Sequence, residues 1–169
     1  MNNARNALFH EVQPLRIWLI WLVILIPVVL AWWLFISQIV FGIPVGDNPL
    51  SNIGALVIWL AFGIVLPSFA YYAKLITDVR TDGIYLNFFP MYSKTVAPRD
   101  IISYEIRQYR PLVEYGGWGI RFAPHKKRAY TMGGDRGVEL ELTDGKRLLI
   151  GSQRPEELAS AVATVIDSK

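Results

Sequence analysis

Ile17–Ile36 (IWLIWLVILIPVVLAWWLFI) and Ile53–Tyr72 (IGALVIWLAFGIVLPSFAYY) decide the architecture of this chain. Between Arg16 and Asp47, and again between Asp47 and Lys74, there is no Asp, Glu, Lys, Arg or His. Crossing a hydrocarbon core about 30 Å thick takes roughly 20 mostly apolar helical residues, and each run has that length. The pair predicts a two-helix transmembrane hairpin, joined by the turn Gly42–Asn52 (GIPVGDNPLSN). An uncleaved anchor is expected rather than a signal peptide. The first run is too long for one, and no small-residue cleavage site follows it.

Orientation is read from the flanks. Arg5 and Arg16 precede the first run, Lys74 and Arg80 follow the second, and the connecting turn has one Asp and no Lys or Arg. The positive-inside rule then puts both termini in the cytoplasm, as expected of a multi-pass protein of the inner cell membrane. Trp18, Trp21, Trp32, Trp33, Tyr71 and Tyr72 lie where aromatic belts would fall. Neither run holds an ionisable group of the kind that marks an ion path, so the hairpin reads as an anchor. Pro27 and Pro67 interrupt it, as proline often does in membrane helices. Gly54, Ala55, Ala61 and Gly63 are small enough to let helices approach closely, and the hairpin is expected to oligomerise through them.

The remainder divides the chain into 1–78, flank and hairpin, and 79–169, a polar domain large enough for one small core. Before Val79, Arg5, Arg16 and Lys74 balance Glu11, Asp47 and Asp78, so the net charge of +3 belongs to the polar part. That excess is scattered and does not indicate nucleic-acid binding. The absence of cysteine excludes disulfides, thiolate catalysis and cysteine metal sites.

From Val79 onward the pattern turns to alternation. Strands are expected at Ile84–Phe89 after the Asp82-Gly83 turn, at Tyr92–Val96, and at Ile102–Ile106. Others are expected at Trp118–Phe122, Arg128–Met132, Val138–Leu142 and, after Asp144-Gly145, at Arg147–Gly151. Leu158, Ala161, Val162, Val165 and Ile166 recur at helical spacing behind Pro155, Glu156 and Glu157. The expected fold is an antiparallel barrel or sandwich of about seven strands, capped by a C-terminal amphipathic helix. Closed barrel and open sandwich both fit.

Three segments carry a resemblance: Tyr115-Gly116-Gly117-Trp118-Gly119-Ile120-Arg121, Gly137-Val138-Glu139-Leu140, and Ile150-Gly151-Ser152-Gln153-Arg154-Pro155-Glu156. With the hairpin they resemble prokaryotic membrane-anchored proteins with a pleckstrin-homology-like (PH-like) domain, of an uncharacterised family. The resemblance implies a fold and a topology, and brings no reaction and no site residues.

Candidate chemistry is sparse. The glycines at 115–119 match neither a Walker A loop nor G-x-G-x-x-G opening a helix. They suit a bend in a curled sheet, or a ligand loop formed by Tyr115, Gly116, Gly117 and Arg121. His125-Lys126-Lys127-Arg128 is the one basic cluster, an ordinary solvated turn or a contact for anionic lipid headgroups through Lys126, Lys127 and Arg128. Gly133–Gly137 reads as a hairpin connection. Arg154 is expected to pair with a carboxylate at the helix start, and Trp118 to sit in the core. His10 and His125 are far apart with no third ligand beside either, so no metal is expected. Glu105, Glu114, Glu139 and Glu141 offer carboxylates, but no nucleophile–base pair can be named. The sequence predicts a non-enzymatic interaction module without cofactor, binding a protein partner or a second copy of itself. A sensor of headgroups or small anions is the alternative.

Overall fold

The computed structural model describes residues 7–15, 17–124 and 126–167. Two compact units divide the chain, one formed by 1–15 with 73–169 and the other by 16–72.

The second unit is the hairpin. Helices α1 (Trp18–Val40) and α2 (Asn52–Tyr72) are each long and apolar enough to cross a membrane. Their turn is tied by Gln38, whose amide donates to the Leu50 carbonyl at 2.5 Å and to Asn52 Oδ1 at 3.2 Å. Ser51 caps α2, its hydroxyl accepting the Gly54 N–H. Pro67 has no N–H to offer the residue four positions back, and the helix widens to a π-helical stretch over Trp59–Val65 just before it. The Gly63 carbonyl instead accepts the Trp32 indole N–H at 3.3 Å. A Cβ on Gly63 would meet Trp59 at 3.1 Å and Trp32 at 3.3 Å. Ala55 and Gly63 are buried within the hairpin, whereas Ala61 is exposed. Two of the small residues thus serve packing inside the hairpin.

The polar unit holds nine strands among the described residues, two more than the alternation predicts. One sheet runs β1-β2-β3-β4, with β1 Phe9–Pro14, β2 Lys74–Arg80, β3 Gly83–Phe89 and β4 Tyr92–Val96. The other runs β5-β8-β9-β7-β6, with β5 Ile101–Gln108, β6 Gly119–Ala123, β7 Lys127–Thr131, β8 Arg136–Leu142 and β9 Arg147–Gly151. The two sheets remain separate and no barrel closes. Nor is the second sheet a simple meander, since β7 and β9 pair in parallel. The four-residue link Met132–Asp135 carries the chain past a gap one strand wide. The Asp144-Gly145 turn then folds β9 back into that gap.

The additional strands β1 and β2 flank the hairpin and pair with each other over six residues. The boundary placed at 78/79 on the sequence therefore does not match the compact unit, which takes in the N-terminal strand and resumes at Ala73. The chain leaves the polar unit at Leu15 and re-enters at Ala73, and the Leu15 N–H donates to the Ala73 carbonyl at 3.2 Å.

Inward residues of both sheets, including Leu75, Leu86, Leu140 and Ile150, share one core with Leu158, Val162 and Val165. The last three lie on helix α4 (Pro155–Asp167), so its apolar stripe covers the core as expected. A helix α3 (Pro111–Tyr115) had not been foreseen. It packs Tyr115 with Tyr109, Ala129 and Leu149 on the other face of the five-stranded sheet.

Strand β1 is sealed by polar groups. Buried Glu11 accepts the Ser152 hydroxyl at 2.7 Å, the Gln153 N–H at 3.0 Å and the Gln13 amide at 3.2 Å. Gln13 also donates to the Gly151 carbonyl at 2.8 Å. Arg154 pairs with Glu157 at 3.0 Å, as the sequence suggested, and also reaches the His10 carbonyl at 2.7 Å. A bond to a charged acceptor contributes about 1.5–3 kcal/mol, so Glu11 holds β1 to the start of α4.

A chain of residues 79–169 alone is expected to stay unfolded by circular dichroism. Joining 7–15 to 73–167 through Asn-Gly in place of the hairpin is expected to give a soluble unit with a cooperative thermal transition. If 79–169 alone folded equally well, β1 and β2 would be dispensable.

Candidate functional site

The residues singled out in the sequence fall into two places on the five-stranded sheet. Tyr115, Gly116, Gly117 and Arg121 come together at the end of α3. Gly116 adopts the left-handed conformation that ends a helix (φ 68°), with its N–H on the Leu112 carbonyl at 3.2 Å. The Gly117 N–H goes to the Pro111 carbonyl at 2.9 Å. These two amides are used by the helix end and do not face outward for an anion. Arg121 folds back onto the Trp118 carbonyl at 2.9 Å, over Gly117. The Tyr115 ring is buried, 6.1 Å from that of Tyr109 and edge-on to it. Burial pushes both hydroxyls up to about 12, with Glu139 adding to the effect at Tyr115.

The second place is the β6–β7 hairpin. Lys126 is exposed in the turn, and Lys127 and Arg128 are half-buried in β7. Arg128 lies 5.1 Å over the ring of Phe122, its partner across the pair. His125 lies outside the described residues. Lys127 neighbours Arg147 at the start of β9, while the far end of β9, Gly151, contacts Gln13 of β1. The basic turn thus sits at the end of its sheet away from the strand positions where the chain passes to and from the helices.

Between α3 and the Met132–Asp135 link lies an open cleft of about 650 Å³. Gln108, Arg110, Leu112, Val113, Glu114, Trp118 and Asp135 line it. Trp118 is half-buried here rather than in the core, its indole N–H donating to the Gly134 carbonyl at 2.9 Å. Gln108 reaches Asp135 at 2.6 Å. Leu112 and Val113 project from α3 at 65% and 79% exposure. The signal for this helix was present in the sequence, a proline at its first turn (Pro111) and a glycine just beyond its end (Gly116).

Beneath α3, Arg107 bridges two carboxylates, pairing with Glu114 and donating to Glu139 at 2.6 Å. Glu139 is only 4% exposed. Arg147 approaches it at 3.8 Å, so its charge is balanced from two sides. Glu105 and Glu141 remain exposed. Among the described residues no three His, Asp or Glu side chains are grouped to hold a metal ion.

The chain matches a family of unknown function, DUF6141, over residues 2–169, and belongs to that family. No curated protein and no solved structure matches it.

Glu114 fixes the start of α3. Burial alone would raise its pKa, but the Arg110 N–H at 2.7 Å and the Arg107 guanidinium outweigh this and hold it below the usual carboxylate range. A depressed folded value stabilises above the unfolded pKa and is lost as pH falls through the folded one. Glu114→Gln is expected to cost about 0.5–1 kcal/mol at neutral pH, allowing for solvent screening. The melting temperatures of the two proteins should draw together as pH falls below the ordinary glutamate range.

Proposed function

We propose that this protein is a non-enzymatic, membrane-anchored interaction module. In this reading α1 and α2 span the inner membrane, both ends of the hairpin and the polar unit lie in the cytoplasm, and the polar unit is a PH-like sandwich. The lysine- and arginine-free turn 42–52, with Lys74 and Arg80 at the other end, supports the orientation. Two stacked sheets with an amphipathic C-terminal helix on their shared core support the fold assignment.

The observation that carries the function is the pair Leu112 and Val113, apolar and protruding at an open cleft that Gln108, Arg110, Glu114 and Asp135 also line. A surface of that kind fits a protein partner that supplies an apolar anchor and a polar rim. Anchoring raises the effective concentration of weak contacts by confining both partners to one layer. The position of Lys126, Lys127 and Arg128, away from the chain's passage to the helices, favours a protein over lipid headgroups as the ligand.

A photo-crosslinker replacing Leu112 in the full-length protein in its native membranes tests this. The expected result is one discrete adduct, with another protein or with a second copy, lost on Val113→Asp. No adduct, together with anionic-liposome binding that falls when Lys126, Lys127 and Arg128 are neutralised, would replace this reading with headgroup sensing.

A further inference from the structure

The outer face of the four-stranded sheet changes character along its length. Residues paired across antiparallel strands share a face, so the register defines rows. The row nearest Leu15 and Ala73 is Pro14–Lys74–Phe89, and the next is Val12–Ile76–Asn87. Only the third row, His10–Asp78–Tyr85, is rich in charge, with His10 and Asp78 at 2.5 Å and Arg80 4.8 Å from the Tyr85 ring. Beyond Phe89 the β3–β4 turn exposes Met91 at 59%, and Phe89 and Tyr92 are exposed as well. The Lys74 ammonium stands 5.5 Å from the Phe89 ring.

We infer that the β3–β4 turn, led by Phe89 and Met91, is a third membrane contact that inserts into the lipid interface beside the anchor. The inference rests on the reading that α1 and α2 span the bilayer. Chain continuity then locates the turn. Tyr72 ends α2, Lys74 follows two residues later, and Phe89 is paired with Lys74. One Cα step and one cross-strand spacing keep Phe89 within about 10 Å of Ala73, where the chain re-enters the polar unit. Tyr71 and Tyr72 are exposed aromatics at the helix end, the type that settles at the headgroup level. An exposed Phe and Met with a lysine over the ring provide an apolar insert and a cation to face lipid phosphates. Phe89, Val12 and Ile76 lie toward the chain's passage and the His10–Asp78 pair lies away from it, as a sheet resting one end on a membrane requires. An apolar surface awaiting a protein partner would have no reason to follow the chain's exit point.

The chain has no cysteine, so single labels can be placed freely. Full-length protein carrying an environment-sensitive fluorophore at Met91→Cys, Ile26→Cys or Thr143→Cys is placed in nanodiscs of equimolar phosphatidylglycerol and phosphatidylethanolamine. Lipids bearing a quencher near the headgroup or along the chain report depth. The expected result is loss of fluorescence at position 91 with the headgroup quencher, at position 26 with the chain quencher, and at 143 with neither. Quenching at 26 but not at 91 would overturn the inference and leave the anchor standing. Equal quenching at 91 and 143 would also overturn it, because contact would not be specific to the turn. No quenching at 26 would remove the anchor reading, and this inference with it.

Discussion

Everything in the polar unit depends on the capture of the N-terminal strand by a buried carboxylate. Glu11 turns inward where a strand would ordinarily place an apolar side chain, and its oxygens meet the Ser152 hydroxyl and the Gln153 N–H. A buried charge is tolerated only when its hydrogen-bonding capacity is met, and residues 152–153 meet it. The contact joins residues near opposite ends of the chain. Removing either side would leave the other unsatisfied in the interior. Because β1 is fixed in this way, the chain departs beside β2, and the long excursion of the hairpin begins and ends at hydrogen-bonded neighbours. A two-helix insert between adjacent antiparallel strands replaces what would otherwise be a short turn.

That arrangement also sorts the surfaces of the unit. Phe89, Val12 and Ile76 of the four-stranded sheet lie toward the chain's passage. The cleft between α3 and the Met132–Asp135 link, and the basic turn after β6, belong to the other sheet. Arg107 supports the cleft from below by holding both Glu114 and the buried Glu139. One arginine thus positions the helix that presents Leu112 and Val113. Tyr109 lines the cleft, and buried Tyr115 packs edge-on against it.

Much of this was legible in the sequence, for particular reasons. Strands β3 and β8 and helix α4 carry an apolar alternation or stripe that matches the face they bury, whereas Ile102, Tyr104 and Ile106 of β5 alternate as read but stay exposed. The two long helices are set by length and composition alone. Strand β1 was not legible, because its inward positions after Phe9 are Glu11 and Gln13 while Val12 points outward. Alternation read there gives the wrong face, and only the partners at 151–153 explain it. Strand β2 alternates readably at Leu75, Thr77 and Val79, but its first residues were assigned to the flank of the span. The parallel pairing of β7 and β9 follows from the path of the chain, which no local pattern records. At the candidate site the sequence singled out the glycines at 116 and 117. It missed Leu112 and Val113, the residues those glycines serve to present.

Amide hydrogen exchange on the full-length protein tests the central claim most directly. If β1 is an integral strand, peptides covering residues 8–14 will exchange as slowly as those covering 74–80. If β1 were a loosely attached tail, 8–14 would exchange within seconds while 74–80 stayed protected, and the account of a unit built around a two-helix insert would be wrong.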